Sequence, residues 1–341
     1  MKQLYLDAAA VADLVRATGI ESFLKDLARC IEEDYRRWPE FTKSARLAVY
    51  YPDGLNELMP TADNKYFAFK FVNAHPKNIT KGLSNVVAFG ALAETSTGYP
   101  LLLSEMTLTT ALRTAATSAL AAKYMARKNS RTMAIIGNGA QSEFQALAFK
   151  ALLGIEEIRA FDIDRAATGK LIRNLAPLGN SLRVSAAKST REAVAGADIV
   201  TTETADKARA VILTPEMIAP GMHINAIGGD CPGKTELPPE VLRMATRVVV
   251  EYEPQTRHEG DIQQMPRDFP VVELWRVITG AETGRRDDGD ITLFDSVGFA
   301  LEDFSALRCL YDTARVRGIG KQIDLIPELA DPRDLYALIK S

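Results

Sequence analysis

Cysteine, histidine and long apolar runs are all scarce in this sequence. Its three cysteines and three histidines lack the spacing of a disulfide framework or a metal site, which favours a reducing compartment and argues against zinc. No run of about 18 apolar residues occurs, and the first residues lack the apolar core of a signal peptide. The formal net charge is only -3, so nucleic acid and anionic membranes are excluded as main partners. We therefore expect a cytoplasmic protein without a metal site or a membrane anchor.

The composition is that of a globular protein, and the length exceeds what one core usually holds. Hydrophobic residues make up 47% of the 341 residues and charged residues 25%. Because single cores stop growing at about 250 to 300 residues, we expect two domains. Helical periodicity near the amino terminus gives way to period-two strands over residues 45–51, 55–59, 65–74, 85–94 and 100–104, which predicts an α+β region. Strands and helices alternate from residue 131 onward, which predicts a parallel, doubly wound sheet.

A glycine turn at Gly137 and Gly139 is the clearest local motif. The apolar run over residues 132–136 ends in Gly-x-Gly and is followed by a helical segment and a second apolar run that Asp162 closes. This order is typical of a dinucleotide site, in which the helix amino terminus binds pyrophosphate and the acid binds a ribose hydroxyl. A carboxylate there disfavours a 2′-phosphate, so Asp162 favours NAD over NADP, although Arg165 could soften that preference. The alternative is that Asp162 or Asp164 caps the next helix.

Charged residues interrupt the apolar strands that precede this motif. Arg46, Glu57 and Lys70 each lie between apolar residues, and Lys70 belongs to a strand with two largely apolar faces. Each side chain either extends to solvent at a sheet edge or has a partner in a pocket. Arg113 lies among small residues near the start of a helix, where it either binds an anion or is solvated.

Asp230 follows a predicted strand end and two glycines, which let the backbone pass close to a flat ligand. A carboxylate at this position could accept a proton from an amine, or it could form a turn before Pro232. Ligands of doubly wound domains bind at the carboxyl ends of the strands. Besides the glycine turn, three further segments meet that criterion: residues 201–204, 225–230 and 294–298.

Together these residues resemble the ornithine cyclodeaminase and mu-crystallin family over nearly the whole chain. The resemblance rests on Arg46, Glu57 and Lys70 and on the segments EMTLTTALRTAA at 105–116, GNGAQS at 137–142, NAIGGDCPGKTEL at 225–237 and FDSVGFALED at 294–303. The last two segments resemble the ornithine cyclodeaminase branch, whose members convert L-ornithine to L-proline and ammonia with tightly held, internally recycled NAD.

The resemblance implies a role for each matching position. Arg46, Lys70 and Arg113 would bind the substrate carboxylate, while Glu57 and Asp230 would be catalytic, with Asp230 also near the side-chain amine. Asn85 stands where a threonine near cofactor and substrate is expected. Positions matching those around the cofactor are Asn85, Arg113, Gly137, Gly139, Ala140, Gln141, Asp162, Thr204, Asn225, Ala226, Ile227, Lys234, Ser296 and Val297.

The family resemblance also implies a fold and an assembly. We expect a Rossmann-type NAD domain over residues 118–311, inserted into an α+β domain of residues 1–117 and 312–341 that binds the amino acid and forms a homodimer. Two other functions remain open at this stage. One is an NAD(P)-dependent amino acid dehydrogenase or cyclic imine reductase. The other is a non-catalytic, crystallin-like protein that binds a dinucleotide.

Overall fold

The computed structural model describes residues 2–205 and 209–340, and its strands form two sheets. The elements of the amino-terminal region are β1 (Gln3–Leu6), α1 (Ala8–Thr18), α2 (Ile20–Arg36), β2 (Leu47–Tyr51), β3 (Gly54–Ala62), β4 (Tyr66–Ala74), β5 (Ala88–Glu94), β6 (Pro100–Glu105) and α3 (Thr107–Met125). Asp7 caps α1 by accepting a hydrogen bond from Ala10 N at 2.9 Å, as its position before the helix predicts.

The second region alternates strands with helices. Its elements are β7 (Thr132–Ile136), α4 (Ser142–Leu153), β8 (Glu157–Phe161), α5 (Arg165–Leu175), β9 (Arg183–Ala186), α6 (Thr190–Val194), β10 (Ile199–Thr202), β11 (His223–Ala226), α7 (Pro239–Met244), β12 (Arg247–Val250), α8 (Glu253–Glu259), β13 (Val272–Glu273), α9 (Leu274–Ile278) and β14 (Thr292–Asp295). The chain continues through α10 (Ala300–Arg317) and β15 (Lys321–Ile323).

The second sheet has eight strands in the order β13-β12-β14-β11-β10-β7-β8-β9, and its pairs are parallel. Strand order reverses beside β7, which is the topological switch point of a doubly wound sheet. Ile136, Thr202, Ala226 and Asp295 are in register across four neighbouring strands. The segments that follow these residues therefore lie side by side at one edge of the sheet, as predicted.

The first sheet has seven strands in the order β15-β1-β6-β5-β4-β3-β2 and is mainly antiparallel. One face of β4 carries the buried Ala68, Lys70 and Val72, and this face packs against α10. The predicted strands β2 to β6 are confirmed, although β2 shows no alternation of burial and β5 begins at Ala88 instead of residue 85. The strands β1, β13 and β15, with at most four residues each, are too short to give a period-two signal.

Two long helices connect the sheets and bring the ends of the chain together. Helix α3 leaves the first sheet and leads into β7, while α10 returns from β14 and leads into β15, which pairs with β1. A core cluster that includes Leu102, Leu112, Met133 and Phe304 runs through both regions. Within the described part of the chain, no helix combines the length and apolarity needed to cross a membrane.

Candidate active site

The glycine turn after β7 has the shape that a bound dinucleotide needs. Gly137 has a φ of +94°, and a Cβ on it would lie 2.7 Å from Glu203 O, so only glycine fits. A Cβ on Gly139 would meet no atom within 4 Å, which leaves open space in front of the first turn of α4. Because a helix amino terminus attracts anions, this space is suited to a pyrophosphate.

Asp162 closes β8 and holds the glycine turn. Its carboxylate accepts hydrogen bonds from Asn138 N at 2.6 Å and from Asp164 N at 2.8 Å. The cap of α5 is Asp164, which accepts from Ala166 N at 2.8 Å. The capping alternative is therefore confirmed for Asp164 and wrong for Asp162, whose carboxylate lies beside the turn as the dinucleotide motif predicts.

Glu236, for which the sequence predicts no role, connects two neighbouring loops at the same sheet edge through hydrogen bonds. One carboxylate oxygen accepts hydrogen bonds from Thr204 N at 2.5 Å and Thr204 Oγ1 at 2.6 Å, and the other accepts from Gly228 N at 3.0 Å. Asn225 and Ala226 are fully buried just before this loop. The side chain of Glu236 is almost fully buried, and this burial raises the pKa of its carboxyl group.

A cavity of about 120 Å³ lies between this sheet edge and the first sheet. It is lined by nine of the predicted residues, namely Arg46, Glu57, Lys70, Arg113, Gln141, Ile227, Asp230, Ser296 and Val297. Asn85 does not line the cavity, although its chain neighbour Val86 does. The remaining predicted cofactor positions lie outside this cavity, along the glycine turn and the adjoining strand ends.

Lys70 and Arg113 are paired with acidic residues at the start of α10. Lys70 Nζ lies 2.8 and 2.9 Å from the two carboxylate oxygens of Asp303. Arg113 contacts Asp303 Oδ1 through Nε at 3.0 Å and Glu302 Oε2 through Nη1 at 2.9 Å. Gly298, with a φ of +76°, has no Cβ that would collide with the guanidinium. Both cations are buried, so the solvated alternatives for Lys70 and Arg113 are wrong.

Burial acts on the charges of this group. Burial and the neighbouring Arg113 lower the pKa of Lys70 to about 8, in spite of the ion pair with Asp303. Burial, with a contribution from the charge of Glu251, raises the pKa of Glu302 above its ordinary value. Burial therefore disfavours the negative charge of Glu302, which weakens the compensation of Lys70 and Arg113.

Arg46 is held by both sheets. Its Nη1 lies 3.0 Å from Glu57 Oε2, and its Nη2 donates to the carbonyls of Val297 and Gly298 at 2.5 and 2.6 Å. Burial opposes the charge of Arg46, but the neighbouring Glu57 and Glu259 raise the pKa of its guanidinium above the ordinary value. The solvated alternative for Arg46 is wrong as well, since its side chain is 6% exposed.

The two predicted acid-base residues line the cavity in different environments. Glu57 Oε1 is buried and has no hydrogen-bond partner in the parts of the chain that the structure describes. Asp230, at 46% exposure, accepts a hydrogen bond from Lys234 Nζ at 3.1 Å. Burial opposes the charge of Lys234, but Asp230 and Glu236 raise the pKa of its amine. Each carboxylate keeps acceptor capacity for a ligand group in the cavity.

A larger open groove of about 870 Å³ runs along α8, α9 and the segment between them, but it contains none of the predicted residues. Its charged side chains are partly committed to local pairs, such as Arg257 with Glu253 at 2.8 Å. We therefore place the site in the smaller cavity, where buried cations converge. Residues 2–205 and 209–340 contain no cluster of His, Cys, Asp and Glu that could hold a metal ion.

Comparisons with known proteins agree with this architecture. The model of the ornithine cyclodeaminase/mu-crystallin family matches residues 9–318. The chain is 59% identical to the ornithine cyclodeaminase of Brucella suis biovar 1 over 326 residues, which cover 96% of this chain and 90% of that protein.

Two solved structures share the fold. A lysine cyclodeaminase, whose recognition of L-lysine, L-ornithine and L-2,4-diaminobutyric acid has been described, has a TM-score of 0.92 and 29% identity, with 99% of this chain and all of the other covered. An archaeal alanine dehydrogenase dimer with bound NAD has a TM-score of 0.87 and 31% identity, with 96% and 100% covered. The chain belongs to the ornithine cyclodeaminase/mu-crystallin family.

Proposed function

We propose that this protein is an NAD-dependent ornithine cyclodeaminase, a lyase that converts L-ornithine to L-proline and ammonia. The observation that carries the proposal is the cavity in which Arg46, Lys70 and Arg113 converge opposite Asp230. Such a cavity fits a molecule with a carboxylate at one end and an amine at the other. The relative with 59% identity over nearly the whole chain bears the name of this activity.

The chain's own residues fit NAD. The open space at Gly139 and the amino terminus of α4 match a pyrophosphate, and the Asp162 carboxylate matches a ribose. When bound, NAD would supply a hydride acceptor that can return the hydride, so the overall conversion needs no external oxidant. Gln141, Ile227, Ser296 and Val297 line the cavity on the side of this sheet edge and would hold the nicotinamide end.

The positive charge at Lys70 and Arg113 explains how the cavity would bind a carboxylate. Because burial disfavours the charge of Glu302, Asp303 and Glu302 compensate these two cations incompletely. A substrate carboxylate would cancel this excess and could accept hydrogen bonds from Lys70, Arg113 and Arg46. Binding at this end would fix the position of Cα, and such positioning contributes much of an enzyme's rate.

Glu57 and Asp230 would act as the acid-base residues. The unpaired Oε1 of Glu57 faces a buried environment, where it would accept a hydrogen bond from the α-amino group. Asp230 would accept a proton from the side-chain amine, which must be neutral to act as a nucleophile. That amine forms the new C–N bond of the five-membered ring, and the α-amino group leaves as ammonia.

Product analysis tests this function. Incubation of the purified, NAD-loaded protein with L-ornithine is expected to yield proline and ammonia in equal amounts without accumulation of NADH. Steady NADH formation with an amino acid would instead indicate a dehydrogenase such as the archaeal relative. Absence of turnover with ornithine, lysine, arginine and alanine would favour a non-catalytic binding protein.

The substitution Asp230→Ala tests the assignment of the proton acceptor. We expect it to lower kcat at least 100-fold, since general acid-base catalysis contributes about 10² to 10⁴ in rate, while the affinity for NAD stays unchanged. Asp268→Ala, at an exposed position, is the matched control. Substantial remaining turnover in Asp230→Ala would remove this residue from the mechanism.

We also propose that two copies pair through the outer face of the first sheet. Leu47, Leu58, Phe71 and Phe89 stand in register across β2 to β5, and three of them are 38–67% exposed. The Phe71 and Phe89 rings stack at 5.2 Å. Such an apolar row on a sheet face favours a protein interface. The archaeal relative of known structure is a dimer.

The division into domains is likewise a proposal. We place the substrate-binding and dimerisation domain at residues 1–117 and 312–341 and the NAD domain at residues 118–311. It is supported by the origin of the strands, since the first sheet uses residues 3–105 and 321–323 and the second uses residues 132–295. Helices α3 and α10 run across the proposed boundaries. The product further places the enzyme in proline biosynthesis.

A further inference from the structure

The short helix α8 contacts Arg46 at two points, although no residue of α8 lines the cavity. Gln255 Oε1 accepts a hydrogen bond from Arg46 N at 3.2 Å, which fixes the backbone just before β2. One turn later, Glu259 Oε2 lies 3.1 Å from Arg46 Nε, which fixes the side chain. Backbone and guanidinium are therefore both held from the same helix.

The same helix also fixes one of the carbonyls that Arg46 uses. Gln255 Nε2 donates to Gly298 O at 2.9 Å, and this oxygen accepts from Arg46 Nη2 as well. The guanidinium thus has a partner on each of its three nitrogens: Glu259 on Nε, Glu57 on Nη1 and the carbonyls of Val297 and Gly298 on Nη2. Because a guanidinium is planar, partners on all three nitrogens leave it a single orientation.

Glu259 contacts Arg46 but does not line the cavity. Its side chain is only 4% exposed. Burial, together with the charges of Glu57 and Asp230, raises the pKa of Glu259 to about 7, although Arg46 acts in the opposite direction. A buried carboxylate beside two other acids is unfavourable for folding, so packing alone does not account for it. The contact with Arg46 Nε is what this side chain contributes.

We propose that Glu259 is a positioning residue, which sets the orientation of Arg46 toward the carboxylate of the amino acid substrate. The inference rests on the proposed function, in which Arg46 binds that carboxylate. Because the contact is an ion pair at 3.1 Å that lacks hydrogen-bond geometry, the proposal predicts that both the charge and the reach of the side chain at residue 259 are needed.

Three substitutions separate reach from charge. Glu259→Asp keeps the charge but shortens the side chain, Glu259→Gln keeps the length but removes the charge, and Glu259→Ala removes both. We expect Glu259→Asp, Glu259→Gln and Glu259→Ala each to raise the KM for L-ornithine about tenfold, the lower end of the scale of one close, buried charge pair, with kcat changed less than about threefold. Glu259→Gln is expected to be impaired although its side chain still reaches Arg46, because it lacks the charge.

The measurements are steady-state kinetics at saturating NAD and, independently, the dissociation constant of NAD from protein fluorescence. NAD affinity is expected to be equal in all variants, which reports an intact fold without relying on activity. His258→Gln, at the neighbouring exposed position on α8, is the matched control. If Glu259→Ala fails to fold, the KM values of Glu259→Asp and Glu259→Gln still test the positioning role.

Failure of the proposed function and failure of this inference give different results. If the unsubstituted protein does not turn over L-ornithine, the proposed function is overturned. If it does, and Glu259→Asp or Glu259→Gln has an unchanged KM, the positioning role is overturned. An equal loss of NAD affinity in all three variants would also overturn it, because it would show a general structural role.

Discussion

Replacing Lys70 with methionine is expected to stabilise the protein while weakening its binding of amino acids. Lys70 is 1% exposed, and burial and the charge of Arg113 lower its pKa from 10.5 to about 8. A tenfold change in a protonation equilibrium corresponds to about 1.4 kcal/mol, so holding this lysine protonated lowers the free energy of unfolding by about 3 kcal/mol. The positive charge that would bind a substrate carboxylate is thus unfavourable for folding.

Methionine would keep most of the packing and remove the charge. Asp303 would remain paired with Arg113 Nε at 3.0 Å, so its charge would keep a cationic partner. Allowing for the lost hydrogen bond between Lys70 and Asp303, we expect a net gain of about 1 to 2 kcal/mol at pH 7.

The pH dependence of this gain identifies its cause. Below pH 8 both the folded and the unfolded chain hold the proton on Lys70, so the gain from Lys70→Met is constant. Between pH 8 and 10.5 the folded chain releases the proton while the unfolded chain retains it, so this lysine contributes a stability that rises with pH. The advantage of the methionine variant is therefore expected to shrink over this interval.

Urea unfolding at pH 7 and pH 9.5 measures both effects, with L-proline binding by calorimetry as the functional readout. Lys65→Met, at an exposed position on the adjoining turn, is the control and is expected to change stability by less than about 0.5 kcal/mol. A Lys70→Met variant that is less stable at pH 7, or whose advantage is the same at pH 9.5, would refute the reasoning from burial.

Two further predictions concern the cofactor and the assembly. Asp162→Asn is expected to lower the affinity for NAD about tenfold and to reduce the preference for NAD over NADP. Fluorescence titration with both dinucleotides measures these two affinities. An unchanged preference would exclude Asp162 from ribose recognition. Sedimentation of the unsubstituted protein is expected to show a dimer and that of Phe89→Glu a monomer, since the change places a charge in an apolar row. A concentration-independent monomer of the unsubstituted protein would contradict the proposed pairing.

Local patterns were sufficient to predict the cofactor side of the fold. The strand, glycine turn, helix and acid between residues 132 and 162 all follow from short-range rules, and the structure confirms each element. The period-two strands around Lys70 could also be predicted from the sequence, because alternation is a local property. The sequence could not decide whether Lys70 and Arg113 face solvent, since that depends on what packs against their strand and helix.

The partners of the cations are the part that local patterns could not predict. Lys70 and Asp303 are 233 residues apart in the chain, and Arg113 and Glu302 are 189 apart. Adjacent acids at the start of a helix ordinarily indicate stabilisation of the helix dipole. Only the packing of α10 on β4 makes them counter-ions. Three buried cations require buried acids, but this charge balance becomes a usable signal only once tertiary packing shows that the cations are buried.

That balance connects folding with function in this protein. The helix α10 joins the second sheet to the carboxyl-terminal strand of the first. Its first turn supplies Asp303, which pairs with both Lys70 and Arg113, and Glu302, whose negative charge burial disfavours. If both acids carried a full charge, the two cations would be fully compensated and a carboxylate would gain little by entering the cavity. Because burial raises the pKa of Glu302, the two cations are incompletely compensated, and a bound carboxylate relieves a cost that the folded chain otherwise bears. The same reasoning explains why stability and amino acid binding should respond in opposite directions to Lys70→Met.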